Sequence, residues 1–434
     1  MNKRVKNILW VTSIVAMLVL FAQTHWHPVK FRAMKHDSKE APKPILTFDT
    51  YKSGEFQGQT ERYLRENFAF REYGIRTYNQ YCYWLWKKTC NDFFFPGRHH
   101  WMYYRPGVLD YYGRETSKFF ATDNDLDEYV NREVEMLVEL RDILKRDFSI
   151  ELLTFIAPDK AFIYPEHLPR MTHDTTVGVA AARFAQRFKE TGFPYIDMTP
   201  WYAAMADTSQ RLLFMPMDTH WTFSSAYGYD SLFRLMDSLS PYSIPTLRID
   251  SITARKYEGR QDDEATLNLL FKVRNNTPDY TAHVSVEADS TTRKPRVLFV
   301  GDSFVFAFEN LMPIRELVSY YENWFYYDKV FKGFDKQTFQ INEINRLRSI
   351  LNVDFVVVYS VGYQWCRGTN GFVEDALTAI KDPEKVKIAL KMNEMESWPE
   401  LMKMIQEKAE NKGITLEEML ELDAKWLIEN EKQQ

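Results

Sequence analysis

The stretch Arg296-Val297-Leu298-Phe299-Val300-Gly301-Asp302-Ser303-Phe304 decides how the chain is read. Pro295 bounds a short apolar run that fits a buried strand. The run stops at Gly-Asp-Ser before a segment, Phe304 to Leu317, that is compatible with a helix. A serine at such a junction is placed where a nucleophile gains most. The strand fixes it, the glycine permits a tight turn, and the amides opening the next helix face any negative charge that develops nearby. The same three residues also suit a serine that merely caps a helix.

A second stretch, Met217-Asp218-Thr219-His220-Trp221-Thr222, favours chemistry over capping. A hydroxyl needs a general base at neutral pH, usually histidine, and the histidine needs a carboxylate to hold its tautomer and stabilise the imidazolium. In an extended segment the spacing of Asp218 and His220 sends both side chains to one side. The segment Phe223 to Leu239, with Thr222 or Ser224 as N-cap, puts His220 just ahead of a helix on the loop rim of a sheet. Ser303 stands on a similar rim, so the two motifs supply nucleophile, base and orienting carboxylate together.

The surrounding pattern alternates helix and apolar strand. Asp125 with Glu128 reads as a capping box ahead of Leu126, Val130, Val134, Leu137, Leu140 and Leu144 at helical spacing. Ile150 to Ala157 reads as a buried strand, with Pro158-Asp159-Lys160 at the end where open α/β sheets bind ligands, which makes Lys160 a candidate substrate contact. A helix near Gly178 to Glu190 and strands at Pro194 to Ile196 and Asp354 to Ser360 complete the series. The last strand ends in Val361-Gly362-Tyr363-Gln364-Trp365, where Tyr363 and Trp365 are candidates to stack on a sugar ring, and packing accounts for them about as well. This alternation predicts a doubly wound parallel sheet. Between Pro241 and Lys294 the period changes to two. Leu267, Leu269, Phe271 and Val273 on one side and Ala282, Val284, Val286 and Ala288 on the other predict a hairpin inserted at the rim.

Lys3, Arg4 and Lys6 precede an apolar run from Ile8 to Ala22, and no small-residue cleavage site follows it. That combination predicts an uncleaved signal anchor with the remainder extracytoplasmic. Residues 29–50 read as a linker, and Gly54 to Thr89 as helical and rich in aromatics. Cys82 and Cys90 would lie about 12 Å apart on one helix, too far to bridge, so with Cys366 no disulfide framework is expected. Beyond residue 371 come helices opened by Asp382-Pro383, by Ser397 with Glu400, and by Thr415 with Glu418. A net charge of −5 over 434 residues gives no electrostatic case for nucleic acid. Aromatic content is high at 15%: ordinary core packing accounts for most of these rings, and a surplus suits a carbohydrate-facing cleft. No nucleotide loop, zinc spacing or calcium loop is evident, so no metal or cofactor is expected.

Asp-Thr-His-Trp-Thr followed downstream by a strand and Gly-Asp-Ser-Phe resembles the SGNH-hydrolase-like domain of the alginate O-acetyltransferases AlgJ and AlgX. Ordinary SGNH hydrolases carry the Gly-Asp-Ser block first; here Asp-x-His precedes it, as in that group. The likeness extends to Asn67-Phe68-Ala69-Phe70-Arg71, to Pro96 through Tyr104, to Pro158-Asp159-Lys160 and to Tyr164-Pro165-Glu166-His167-Leu168-Pro169, and it covers about residues 50–365. By this resemblance Ser303 is the nucleophile, His220 the base and Asp218 its orienter. The chain departs from the pattern in its Gly97-Arg98-His99-His100 turn and lacks a Gly-x-Asn-Asp block, so beyond the Ser303 amide the oxyanion donors stay unassigned.

The resemblance implies an SGNH-hydrolase-like, flavodoxin-like three-layer α/β fold with a hairpin insertion. The expected organisation is a signal anchor over 1–28, a linker over 29–50, a catalytic domain over 51–370 with its insertion near 241–294, and a helical extension over 371–434. It also implies O-acetyl transfer through a serine acyl-enzyme to an extracytoplasmic polysaccharide, with a multispanning membrane O-acyltransferase as acetyl donor. A carbohydrate esterase or deacetylase, and a non-catalytic glycan-binding subunit, are the alternatives. The expected site is the periplasmic side of the inner membrane.

Overall fold

The structure, a computed structural model, describes all residues except 1, 2, 27, 31–33, 36–40, 175, 256–260, 274–276 and 432–434, and the side chains of His25 and Asp262. Its residues form two units. One comprises Met1–Met102 with Pro216–Asp218 and Glu258–Asn276; the other holds Tyr103–Met215, Thr219–Tyr257 and Thr277–Gln434.

The first unit carries helices Lys3–Trp26 (α1), Glu55–Glu66 (α2) and Arg71–Trp86 (α3). α1 is 24 residues long, about 36 Å, enough for a hydrocarbon layer of about 30 Å. The Ile8–Ala22 run understated it, because flanking residues on both sides continue the helix.

The second unit is built on apolar runs that pair as strands. Helix Asp123–Phe148 (α4) leads into Glu151–Ala157 (β1), helix Ala180–Thr191 (α5) into Tyr195–Asp197 (β2), and helix Ser225–Leu239 (α6) into the rim hairpin Thr246–Arg255 (β3) and Asp279–Glu287 (β4). Arg296–Gly301 (β5), Tyr320–Phe325 (β6), Lys329–Lys332 (β7), Gln337–Gln340 (β8) and Phe355–Val361 (β9) follow. The seven-stranded sheet runs β8-β7-β6-β5-β9-β1-β2. It is parallel from β6 to β2 and antiparallel at the β7 and β8 edge.

β5 and β9 sit at its centre, where both faces are covered, which is why their sequences are continuously apolar. On one face Leu152, Ile156, Leu298, Val300, Val356 and Val358 pack against α4, α5 and helix Phe372–Ile380 (α7). On the other, Phe155 stacks on Tyr359 at 4.5 Å, and Tyr359 on Tyr229 of α6 at 6.0 Å. The result is the expected three-layer SGNH-like α/β arrangement.

Three local expectations are corrected. The N-cap of α4 is Thr122, with Asp125 completing the capping box, because Thr122 stands one residue before the helical backbone begins. The hairpin pairs β3 with β4, and Leu267–Val273 is not its first strand. Helix Asp262–Thr266 and the turn after it interrupt that stretch; Leu267, Leu269 and Val273 are buried in the first unit instead. The segment after Ser303 is not one helix: it runs Ser303–Val305, Phe306–Leu311 and, past Pro313, Ile314–Leu317.

Helices Pro383–Glu396 (α8), Pro399–Lys412 (α9) and Leu416–Glu431 (α10) share a small core around Met392, Ile405, Met419 and Leu420. They dock on the sheet domain through Arg348, which bonds Glu396 and Glu417, each at 2.6 Å.

Candidate active site

β5 ends at Gly301, where any side chain would place its Cβ 1.8 Å from the Tyr359 carbonyl oxygen. Only glycine lets the two central strands stay paired at this point. Asp302 then leaves the strand and is buried, its Oδ1 accepting the Phe304 amide at 2.9 Å and its Oδ2 the Val361 amide at 2.7 Å. One carboxylate therefore ties the Ser303 turn to the end of β9. Burial pushes its pKa up to about 6, against the two amide bonds and the His220 charge, which pull it down.

Held this way, Ser303 Oγ lies 2.8 Å from His220 Nε2. Both residues are half-buried, so the pair is reachable from solvent. The His220 ring packs at 5.1 Å on Phe304. Its neighbour Trp221 is buried among Phe155, Tyr202, Tyr229 and Phe304 and fixes the backbone beneath it. Gly228 on α6 is needed for that packing, since a Cβ there would meet the Trp221 ring at 2.7 Å. Ser224, a candidate cap, makes no capping bond and donates to the Leu213 carbonyl instead. Asp218 belongs to the first unit and is half-buried.

The structure also places the candidate substrate residues. Lys160 follows β1 as expected, but it is buried, with Nζ donating to the Met215 carbonyl at 2.8 Å and lying 5.1 Å over the Tyr103 ring. Tyr164 accepts the Leu213 amide at 2.9 Å. Lys160, Tyr164 and Ser224 thus clamp Leu213–Met215, the run leading into the His220 motif. Tyr363 is buried and packs 5.5 Å from Tyr104. Trp365 is fully buried between Phe184 and Phe188, its indole donating to the Ser360 carbonyl. As a face for sugar stacking Trp365 is corrected: the chain turns its side chain inward after β9, into the α5 core.

Sequence reasoning missed Tyr326. It follows β6 at φ 52°, and Tyr327 adopts φ 54°, two consecutive non-glycine residues in the left-handed region. The Tyr326 amide donates to the Gly301 carbonyl at 2.7 Å, and its hydroxyl faces the side chains of Ser303 and Gln364. Burial, then the nearby Asp302, push the phenol well above its ordinary pKa, so it remains a proton donor. A strained turn that brings a phenol to the Ser303 turn has no local sequence signature. Only the register of β6 beside β5 reveals it.

Two further buried carboxyls stand behind the site. Burial pushes Asp159 up to about 6 and, reinforced by Asp159, Asp110 up to about 7. Asp159 Oδ1 accepts the Ala161 amide at 2.8 Å, which opens the turn carrying Lys160. No group of three or more His, Cys, Asp or Glu able to hold a metal occurs among the described residues.

Solved structures to which the chain is similar include the O-acetyltransferase domain of Pseudomonas putida AlgJ, at 14% identity and TM-score 0.39, covering 67% of this chain and 99% of that one. Bacillus cereus PatB1 is 12% identical with TM-score 0.34, covering 55% and 91%, and Pseudomonas aeruginosa AlgX is 13% identical with TM-score 0.35, covering 56% and 61%. No curated protein matches the sequence. The profile of the SGNH hydrolase-like domain of acetyltransferase AlgX matches residues 60–312, more than half of the chain and including both motifs. The chain belongs to that family of SGNH hydrolase-like acetyltransferase domains.

Proposed function

We propose that the protein is an O-acetyltransferase that carries the acetyl group on Ser303 and delivers it to hydroxyls of an extracytoplasmic polysaccharide. The observation that carries this reading is the 2.8 Å contact between Ser303 Oγ and His220 Nε2 in a chain of the acetyltransferase family. His220 takes the Ser303 proton as Oγ attacks the donor's acetyl carbonyl. The tetrahedral intermediate collapses, the leaving group receives that proton, and an acetyl-serine remains. In the second half-reaction His220 takes the proton of a sugar hydroxyl, which attacks the ester carbonyl; Ser303 Oγ leaves and recovers the proton.

Asp218 orients His220 and stabilises its imidazolium. The Ser303 amide and the Tyr326 hydroxyl serve as donors to the oxyanion. The Phe304 amide is already taken by Asp302 and is not available for that role. Lys160 acts by positioning the His220 run, and Tyr363 by packing against Tyr104 beneath the rim. α1, with mean hydropathy 2.0 over its apolar window and basic residues ahead of it, anchors the chain in the inner membrane and leaves the rest on the periplasmic side. The acetyl donor is a multispanning membrane O-acyltransferase, and no cofactor takes part.

The test supplies the detergent-solubilised full chain with an activated acetyl ester and oligosaccharides. Acetylated sugar that disappears in Ser303→Ala supports the transferase. Acetate release undiminished by sugar indicates the esterase or deacetylase, and the absence of both an acetyl-enzyme and any Ser303-dependent turnover leaves a glycan-binding subunit.

A further inference from the structure

α3 buries Arg76 and Gln80 together with Cys82 and Tyr83, and leaves Tyr73, Tyr78, Tyr81, Trp84, Leu85 and Trp86 exposed. Its inward polar groups are used within the first unit: Gln80 Oε1 accepts the Phe271 amide at 2.9 Å, and Asn79 donates to the Leu267 carbonyl at 2.9 Å. The same contact brings Phe271, itself exposed, into a stack on Trp84 at 5.7 Å, which widens the aromatic face. An amphipathic helix ordinarily turns its apolar stripe inward, so this stripe calls for a cover.

Its surroundings identify the cover. The C-terminal end of α1, at Gln23 and Thr24, borders a cleft whose opposite wall is Glu66 to Phe70 with Glu72, the turn that starts α3. Gln23 is buried there and bonds the Val29 backbone in both directions, at 2.8 and 3.0 Å, so the chain is held as it leaves the span. α3 therefore begins where α1 emerges. Tyrosine and tryptophan, with an apolar body and a polar tip, favour the headgroup level of a bilayer over its interior. Lys87 and Lys88 close the helix with charge suited to anionic lipid.

We propose that the aromatic face of α3 is seated in the interfacial layer of the bilayer that α1 crosses, with phospholipid as its occupant. This rests on the anchor reading of α1 and is independent of the chemistry at Ser303. The full chain, in a Cys90→Ser background that removes the exposed thiol, is labelled with a fluorophore at Tyr81→Cys and reconstituted in phosphatidylcholine–phosphatidylglycerol vesicles. The readout is the ratio of quenching by headgroup-level nitroxide lipid to quenching by a water-soluble nitroxide.

A ratio matching that of a Trp26→Cys label at the end of the span is expected. A ratio no higher than that of a Lys189→Cys label on α5 overturns the proposal and leaves the face to a protein partner. A Val15→Cys label reads the anchor separately. If it escapes acyl-chain nitroxides while position 81 is quenched, the span falls and the interfacial face stands; if both escape, both fall. Acetyl transfer measured on the same preparations reports Ser303 chemistry by itself.

Discussion

At the scale of single residues, the site depends on positions whose substitution has separable consequences. Gly301→Ala forces a methyl into the Tyr359 carbonyl, a backbone clash that repacking cannot relieve, and should lower stability by about 3 kcal/mol or more in denaturant unfolding. Tyr326→Phe keeps the ring and removes the hydroxyl. It should cut kcat by about 10²-fold with KM nearly unchanged, the pattern of a group used only in the transition state. The buried acids make a pH prediction. Asp110 rises from 3.8 to about 7 on folding, and a raised carboxyl favours the folded state only while protonated. Its stabilisation is therefore complete below about pH 4 and gone above pH 7, and Asp159 and Asp302, each near 6, act in the same direction. Thermal unfolding should show stability falling across that window. Asp110→Asn, which keeps an acceptor for Thr116, should flatten the profile and stabilise the protein at pH 8 by up to roughly 4 kcal/mol.

At the scale of elements, the parts most legible in the sequence were those where one physical demand dominates. β1, β5 and β9 are buried on both faces, so their apolar runs and their ends were readable within a residue or two. The Ser303 and His220 rims followed from those ends. The strands β6, β7 and β8 toward the β8 edge were not readable: β6 is buried yet carries Glu322 and Asn323 among its aromatics, and β7 and β8 mix lysine, glutamine and phenylalanine without a clear period. Tyr326, which depends on β6, was hidden with it. The alternating pattern at 267–273 misled because alternate burial can also arise in an irregular segment clasped by a helix, here by Asn79 and Gln80 of α3. Trp365 misled for the opposite reason, a rim position whose side chain points into the core. Trp365→Ala should accordingly cost about 3–5 kcal/mol of stability, with no specific rise in KM for oligosaccharide once folded protein is compared.

At the scale of the whole molecule, the chain joins an apolar helix of span length, a first unit with an aromatic surface, and a sheet domain extended by three C-terminal helices. The family match ends at residue 312, so Tyr326, Tyr363 and the helical extension lie beyond it and are known only from the fold. The anchoring of α8, α9 and α10 through the mostly buried Arg348 should make them part of the cooperative unit. Arg348→Met removes the charge that satisfies Glu396 and Glu417 and should loosen all three helices in hydrogen exchange while leaving transfer chemistry intact. The central claim is that Ser303 carries the acetyl group with His220 as its base. The measurement that tests it most directly is peptide mapping by mass spectrometry of the full chain, quenched in acid after exposure to an activated acetyl ester without acceptor. One acetyl group on Ser303, lost in Ser303→Ala and slowed by about 10³-fold in His220→Ala, is the predicted result. An acetyl group on another residue, or the same rate of labelling without His220, would contradict the account.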